Sequence, residues 1–204
     1  MLQGIYAISD ELLTPQNRIK EMLKEAIKGG ISLFQLRDKT TQDSSLEPLC
    51  AEIMQICSDF KVTFILNDRI DLAIKLNAPG LHIGTKENGI PYSLNELKEI
   101  RKNFSGILGI SCYGDISLAQ SAQSIGADYI AFGSCFKSPT KQEAKTISLN
   151  LFKIPLRIPK CAIGGITKEN ITSLKNAEMI ACISSIWRGD IAQNIKDLKK
   201  AWKY

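Results

Sequence analysis

In the segment FILNDR (64–69) a short apolar run ends in an amide, an acid and a base: Asn67, Asp68 and Arg69. An earlier segment, SLFQLRDK (32–39), mixes apolar residues with Gln35, Arg37 and Lys39 in the same way. Side chains alternate faces along a strand, so Gln35, Arg37 and Lys39 share one face while Phe34 and Leu36 take the other. A buried arginine and lysine are costly without a counter-charge. An internal salt bridge, for instance Arg37 with Asp68, would supply one; so would an anionic ligand.

Other stretches favour the ligand. The connection FGSCFKSPTKQEAKTISL (132–149) is long enough for a lid or binding loop. Within it Ser138, Thr140 and Lys141 offer two hydroxyls and an ammonium to phosphate oxygens. AIGGIT (162–167) sets Gly164 and Gly165 between a strand and a helix, where backbone N–H groups can approach an anion closely. Ile183, Ser184 and Ser185 are expected to close the last strand. Two anion sites, one of them beside Asp68, suggest Mg²⁺, which takes oxygen ligands and needs only one or two carboxylates plus substrate phosphates. Glu87, in HIGTKE, is the candidate second carboxylate; an exposed loop acid is the competing reading. The one histidine, His82 in GLHIG, rules out a zinc site with several His ligands. It reads as a hydrogen-bonded structural residue near the rim in preference to a proton shuttle.

Such residues need a scaffold that gathers strand ends. Apolar runs recur at 4–8, 32–37, 62–67, 80–83, 107–111, 128–133, 160–163 and 179–184. Helical patterns lie between most of them, at 16–28, 45–59, 70–76, 93–103, 116–125, 168–175 and 191–202, with little more than one turn in 145–154. Ser93 ahead of Glu96 reads as a capping box, and Thr167 before KEN as a second helix entry. Strict alternation of strand and helix means parallel strands. Eight units imply a compact (β/α)₈ TIM barrel forming a single domain over 1–204. An open doubly wound sheet would carry GxGxxG after its first strand, and none stands there. In a TIM barrel the active site lies at the C-terminal strand ends. Gln35, Arg37, Lys39, Asn67, Asp68, Ser111, Gly164, Gly165 and Ser184 all fall at such ends.

Composition narrows the partners. Net charge is +5, and the densest basic stretch, IKDLKKAWKY, reads as a solvated helix face, not a nucleic-acid footprint. The six cysteines form no CxxC pair and no cluster with histidine, as expected of buried thiols in a reducing cytosol. No apolar run approaches the roughly 20 residues that span a bilayer, and MLQGIYAISD lacks a signal-peptide pattern. The expectation is a cytoplasmic protein acting on small molecules, without nucleic-acid or membrane partners; a homo-oligomer stays open.

YAISD, FQLRDK, ILNDRIDLAIKL, GLHIG, GIS, GADYIAFGSCFKSPTK, AIGGIT and ACISSI follow one another along nearly the whole chain. In that order they resemble the thiamine phosphate synthase family. The resemblance implies a TIM barrel that joins a hydroxymethylpyrimidine pyrophosphate to a thiazole phosphate with Mg²⁺, releasing pyrophosphate by a dissociative route. It further implies that Gln35 contacts the pyrimidine, that Arg37, Lys39, Asn67 and Lys141 hold pyrophosphate, and that Asp68 and Glu87 carry the metal. Ser111 would lie near the pyrimidine and the departing oxygen, and Ser138 and Thr140 at the lid. Gly165, Ile183 and Ser184 would bind the thiazole phosphate. The chain departs from the family's pattern at Thr85 and Glu87, which stand for a glutamine and an aspartate. Tyr113 takes the place of a frequent histidine, and Ser138 that of a threonine. A related thiazole tautomerase uses a histidine after the glycine that ends the sixth strand and tends to lose the aspartate of NDR. Here Ser134 and Asp68 occupy those positions. A phosphate-binding protein without turnover is the third alternative; it would leave Arg37, Lys39, Asp68 and Lys141 together unexplained.

Overall fold

The computed structural model describes residues 1–86, 88–137 and 145–203, with the side chain of Lys203 excepted. Eight strands pair in sequence order, each parallel to the next: β1 Gly4–Ile8, β2 Leu33–Leu36, β3 Thr63–Asn67, β4 Gly80–Ile83, β5 Ile107–Tyr113, β6 Tyr129–Phe132, β7 Lys160–Ile163 and β8 Met179–Cys182. Pairing of β8 with β1 closes the sheet into a TIM-type barrel. Alternation along each strand divides the apolar residues into two layers. Tyr6, Ile8, Leu33, Ile65, Tyr129, Cys161 and Met179 fill the inside of the barrel. Ile5, Ala7, Phe34, Leu36, Phe64 and Leu66 face outward and meet the helices.

The helices are α1 Ile19–Gly29, α2 Asp43–Asp59, α3 Ile70–Lys75, α4 Leu94–Asn103, α5 Ile116–Ser124, α6 Ser184–Trp187 and α7 Ile191–Lys203, with 3₁₀ segments at Leu149–Lys153 and Ile171–Leu174. Buried Met22, Leu23 and Ala26 recur at helical spacing on α1 and turn that face to the core. Ser93 and Glu96 form the expected capping box at the start of α4. Asp115 caps α5 by accepting from the N–H groups of Ser117 and Leu118.

Three elements differ from the sequence reading. Residues 168–175 do not form an α-helix. The Asn170 carboxamide accepts from the Thr167 N–H and donates to the Gly165 carbonyl, and this side-chain turn leaves only a 3₁₀ segment behind it. The eighth strand stops at Cys182, because Ile183 at φ −117°, ψ −87° leaves extended geometry and Ser184 opens α6. Ser184 and Ser185 therefore sit in a helical turn, anchored where Trp187 Nε1 donates to the Ile8 carbonyl at 2.6 Å. The second strand ends at Leu36, so Arg37 is half-buried and Lys39 exposed, where the alternation had both of them buried.

Candidate active site

At the β1–β2 corner the chain after each strand grips the other. The Arg37 N–H donates to Ser9 Oγ at 2.7 Å, and Ser9 Oγ donates back to the Arg37 carbonyl at 3.1 Å. Glu11 accepts from Arg37 Nη1 at 3.3 Å and from the Lys39 N–H at 2.9 Å. Arg37 thus pairs with Glu11 in place of the Asp68 considered from sequence, because β1 and not β3 delivers the nearer acid. This pair leaves Arg37 further N–H donors for an anion, since a guanidinium carries five. Glu11 had no signal in the sequence: it is one loop acid among many until the barrel closes.

The next corner explains NDR. Asn67, 8% exposed, donates from Nδ2 to Asp68 Oδ2 at 2.8 Å. Asp68 turns at φ +59°, a left-handed conformation that carboxylate and amide residues tolerate better than most, and its Oδ1 accepts from the Gly84 N–H at 2.7 Å. Arg69 points away, donating to the Asp38 carbonyl at 2.7 Å and pairing with Asp43, so it holds the β2–α2 loop. Within that loop burial opposes a charged Asp38. Donors from Thr41, Gln16 and Thr40 outweigh it and hold the carboxyl well below the usual range. Asn67 and Asp68 reach the mouth, while Arg69 braces the loop that carries Lys39.

Below the mouth, five polar side chains form a continuous line across the barrel. Gln35 Nε2 donates to Tyr6 Oη at 2.6 Å, and Tyr6 Oη lies 2.9 Å from Tyr129 Oη. Tyr129 Oη lies 2.9 Å from His82 Nδ1, and His82 Nε2 lies 2.9 Å from Ser111 Oγ. The His82 ring stacks on Tyr129, with centroids 5.6 Å apart. Burial lowers the His82 pKa to about 4, with Asp68 pulling weakly the other way, so the ring is neutral at pH 7. Gln35 and Ser111 were visible in the sequence as polar residues at strand ends. Tyr6 and Tyr129 were not, since an aromatic in an apolar strand reads as core.

On the opposite side Gly164 and Gly165 adopt φ +102° and +62°. At Gly165 a Cβ would fall 2.5 Å from the Lys137 carbonyl oxygen and 2.6 Å from that of Phe136. The pair is therefore required by the close passage of the β6–β7 connection as well as by anything it binds. Ile183 and Ser184 follow β8, both half-buried. Tyr113 ends β5 at φ +54°, 40% exposed, past a register shift that begins at Ser111. Thr85 pairs with Pro91 in an isolated bridge beyond β4. Glu87, Ser138, Thr140 and Lys141 lie outside the described residues.

The chemistry open to this mouth is limited by its bases. All six cysteines are free and buried, and burial raises every thiol pKa, to about 12 at Cys112 and Cys135, which keeps them protonated. His82 is a weak base with both ring nitrogens engaged. The strand ends instead carry the Arg37 guanidinium, the Ser111 hydroxyl and the Asp68 carboxylate, with Lys39 exposed in the loop after β2. Among the described residues no three His, Cys, Asp or Glu side chains gather around one point. Each Asp68 oxygen accepts one N–H and keeps lone-pair capacity beyond it. One carboxylate completed by substrate phosphates is a donor set that suits Mg²⁺.

A family model described as thiamine monophosphate synthase matches residues 5–186. The thiamine-phosphate synthase of Wolinella succinogenes is 44% identical, over 99% of this chain and 95% of that one. That of Thermoplasma acidophilum is 31% identical, over 98% and 92%. Among solved structures, the thiamine phosphate pyrophosphorylase of Pyrococcus furiosus superposes with a TM-score of 0.83 at 28% identity, covering 98% of this chain and 96% of that one. A 3-hexulose-6-phosphate synthase structure, at TM-score 0.67 and 16% identity, shares the fold alone. Barrel, strand-end residues and whole-length similarity agree, and the chain belongs to the thiamine monophosphate synthase family.

Proposed function

We propose that this chain is a thiamine-phosphate synthase, a transferase of thiamine biosynthesis. It joins 4-amino-2-methyl-5-hydroxymethylpyrimidine pyrophosphate to 4-methyl-5-hydroxyethylthiazole phosphate and releases pyrophosphate. The observation that carries this reading is that Arg37 and Asp68 each follow a barrel strand at its C-terminal end, while the buried thiols and the neutral histidine are poor nucleophiles and bases. A reaction that starts with departure of a leaving group needs charge neutralisation and alignment, not an activated nucleophile.

In this reading the bond between the pyrimidine methylene and the pyrophosphate oxygen breaks, and its electron pair leaves with the oxygen. The thiazole nitrogen then gives its lone pair to the methylene carbon. Arg37, Lys39, Asn67 and Lys141 hold the pyrophosphate. Gln35 contacts the pyrimidine, and Ser111 lies near that ring and the departing oxygen. Ser138 and Thr140 act from the connection after β6. Gly164, Gly165, Ile183 and Ser184 take the thiazole phosphate. Asp68, with Glu87, would hold Mg²⁺, which supplies neutralisation of phosphate charge. We place the reaction in the cytoplasm, where the free thiols remain reduced.

A thiazole tautomerase is not favoured: Asp68 is retained, and Ser134 stands where that relative carries its histidine. The test is to incubate the purified protein with both substrates and Mg²⁺ and to measure pyrophosphate and thiamine phosphate. Stoichiometric formation of both is expected. Exchange of thiazole tautomers without pyrimidine or metal, with no thiamine phosphate formed, would replace this reading with the isomerase.

A further inference from the structure

The line of hydrogen bonds under the mouth has a direction. Gln35 Nε2 is a donor only, so at 2.6 Å the Tyr6 oxygen accepts from it. Tyr6 has one hydrogen of its own and is 1% exposed. A buried hydroxyl hydrogen without an acceptor costs about 1–3 kcal/mol. The Tyr129 oxygen, at 2.9 Å, is the acceptor it faces. Tyr129 then directs its own hydrogen to His82 Nδ1. A neutral imidazole that accepts at Nδ1 carries its hydrogen on Nε2, and Nε2 faces Ser111 Oγ.

We propose that this chain of bonds locks His82 as the Nε2–H tautomer, so that Ser111 receives a hydrogen bond from below and presents its own hydroxyl hydrogen to an acceptor atom of the bound substrate. Tyr6 and Tyr129 are positioning residues, acting on Ser111 through His82. The reverse polarity would require Gln35 to turn its carbonyl toward Tyr6 and would make Ser111 a donor to His82, with nothing left to give a ligand.

The barrel is built around this line. A Cβ on Gly109, on the inner face of β5, would lie 2.0 Å from Tyr129 Cζ and 2.3 Å from its hydroxyl oxygen. The bare backbone there is what lets the phenol cross the barrel to β4. The Tyr6 and Tyr129 rings meet edge to face, with centroids 6.1 Å apart, which fixes the hydroxyls against each other.

The tautomer follows from the orientation of the Gln35 carboxamide toward Tyr6 and needs no substrate; its catalytic consequence rests on the synthase reading. His82 is the only histidine in the chain, so ¹⁵N chemical shifts of histidine-labelled protein report it without assignment. Wild type is expected to show a protonated Nε2 and an unprotonated Nδ1 at neutral pH. A protonated Nδ1, or averaged shifts of two tautomers, overturns the proposal. Tyr129→Phe and, independently, Tyr6→Phe should give averaged shifts. Both should lower kcat roughly 10-fold or more by misplacing Ser111, with KM for either substrate within about threefold. A folded variant that keeps the pure Nε2–H pattern or the full kcat overturns the positioning role. The wild-type spectrum needs no substitution, so an unfolded variant cannot remove the test. If wild type shows the expected tautomer but forms no thiamine phosphate, the functional reading fails and the hydrogen-bond polarity stands.

Discussion

The Asp68 carboxylate accepts the Gly84 N–H at 2.7 Å, and this bond ties the end of β3 to the end of β4. It also fixes where the one described candidate metal ligand stands. Asp68→Asn keeps the shape and an oxygen acceptor for Gly84, its new NH2 meets an acceptor once the Asn67 carboxamide flips, and asparagine tolerates the left-handed backbone at this position. We expect stability within about 1 kcal/mol of wild type. The Mg²⁺ dependence of pyrophosphate release should disappear, and a titration curve that overlays the wild type would reject Asp68 as a ligand.

Glu11 orients Arg37 and caps the Lys39 N–H from the same carboxylate. Glu11→Ala releases both and unclamps the β1–β2 corner that is proposed to face the pyrophosphate. Loss of alignment at one clamp is expected to lower kcat/KM about 10-fold. Steady-state kinetics with the pyrimidine pyrophosphate varied would show it. A wild-type value would leave Glu11 a surface acid.

Lys141 is proposed to neutralise charge on the leaving pyrophosphate. Removing one preorganised donor of this kind costs about 10²–10³ in kcat. Lys141→Ala should fall in that range in single-turnover experiments, and a rate within a few-fold of wild type would refute the role.

How much of this was legible in the sequence follows from what each signal depends on. Strand–helix alternation is local, and it was enough for eight parallel strands and the closed barrel. The ends of elements depend on side-chain turns such as that of Asn170, and there the reading placed a helix where a 3₁₀ segment stands. Among the strand-end residues, NDR announces itself because polar residues should not end a buried run. Glu11 does not, since its role comes from a partner 26 residues away. Tyr129 is harder still: its apolar ring belongs to the core, and its hydroxyl becomes functional only through contacts 47 and 123 residues distant.

Gly165 offers a test of the β7 turn that does not depend on any ligand. At φ +62° an L-residue is strained, and a methyl group would press on the Phe136 and Lys137 carbonyl oxygens, which are backbone and cannot swing aside. Gly165→Ala is expected to cost about 2 kcal/mol, read as a lowered urea midpoint at unchanged slope. An unchanged midpoint would mean that the connection after β6 moves freely away from β7.

His82 links the buried line to pH. Its pKa falls from 6.5 to about 4 because burial disfavours the imidazolium. In the unfolded chain the same ring titrates near its ordinary value. Above pH 6.5 neither state is protonated and stability is fully present. Between pH 6.5 and 4 the unfolded chain binds a proton that the folded one excludes, so stability falls with pH across that window. From pH 7 to pH 5 the expected loss is about 2 kcal/mol, most of it before carboxylates titrate. His82→Gln, the only change needed to remove all histidine, should lower stability at pH 7 by breaking the bonds to Tyr129 and Ser111. It should also flatten the decline between pH 7 and 5. Parallel curves for the two proteins in urea unfolding across that range would show that the ring is not held neutral, and that the line through Tyr129 accommodates the charged form.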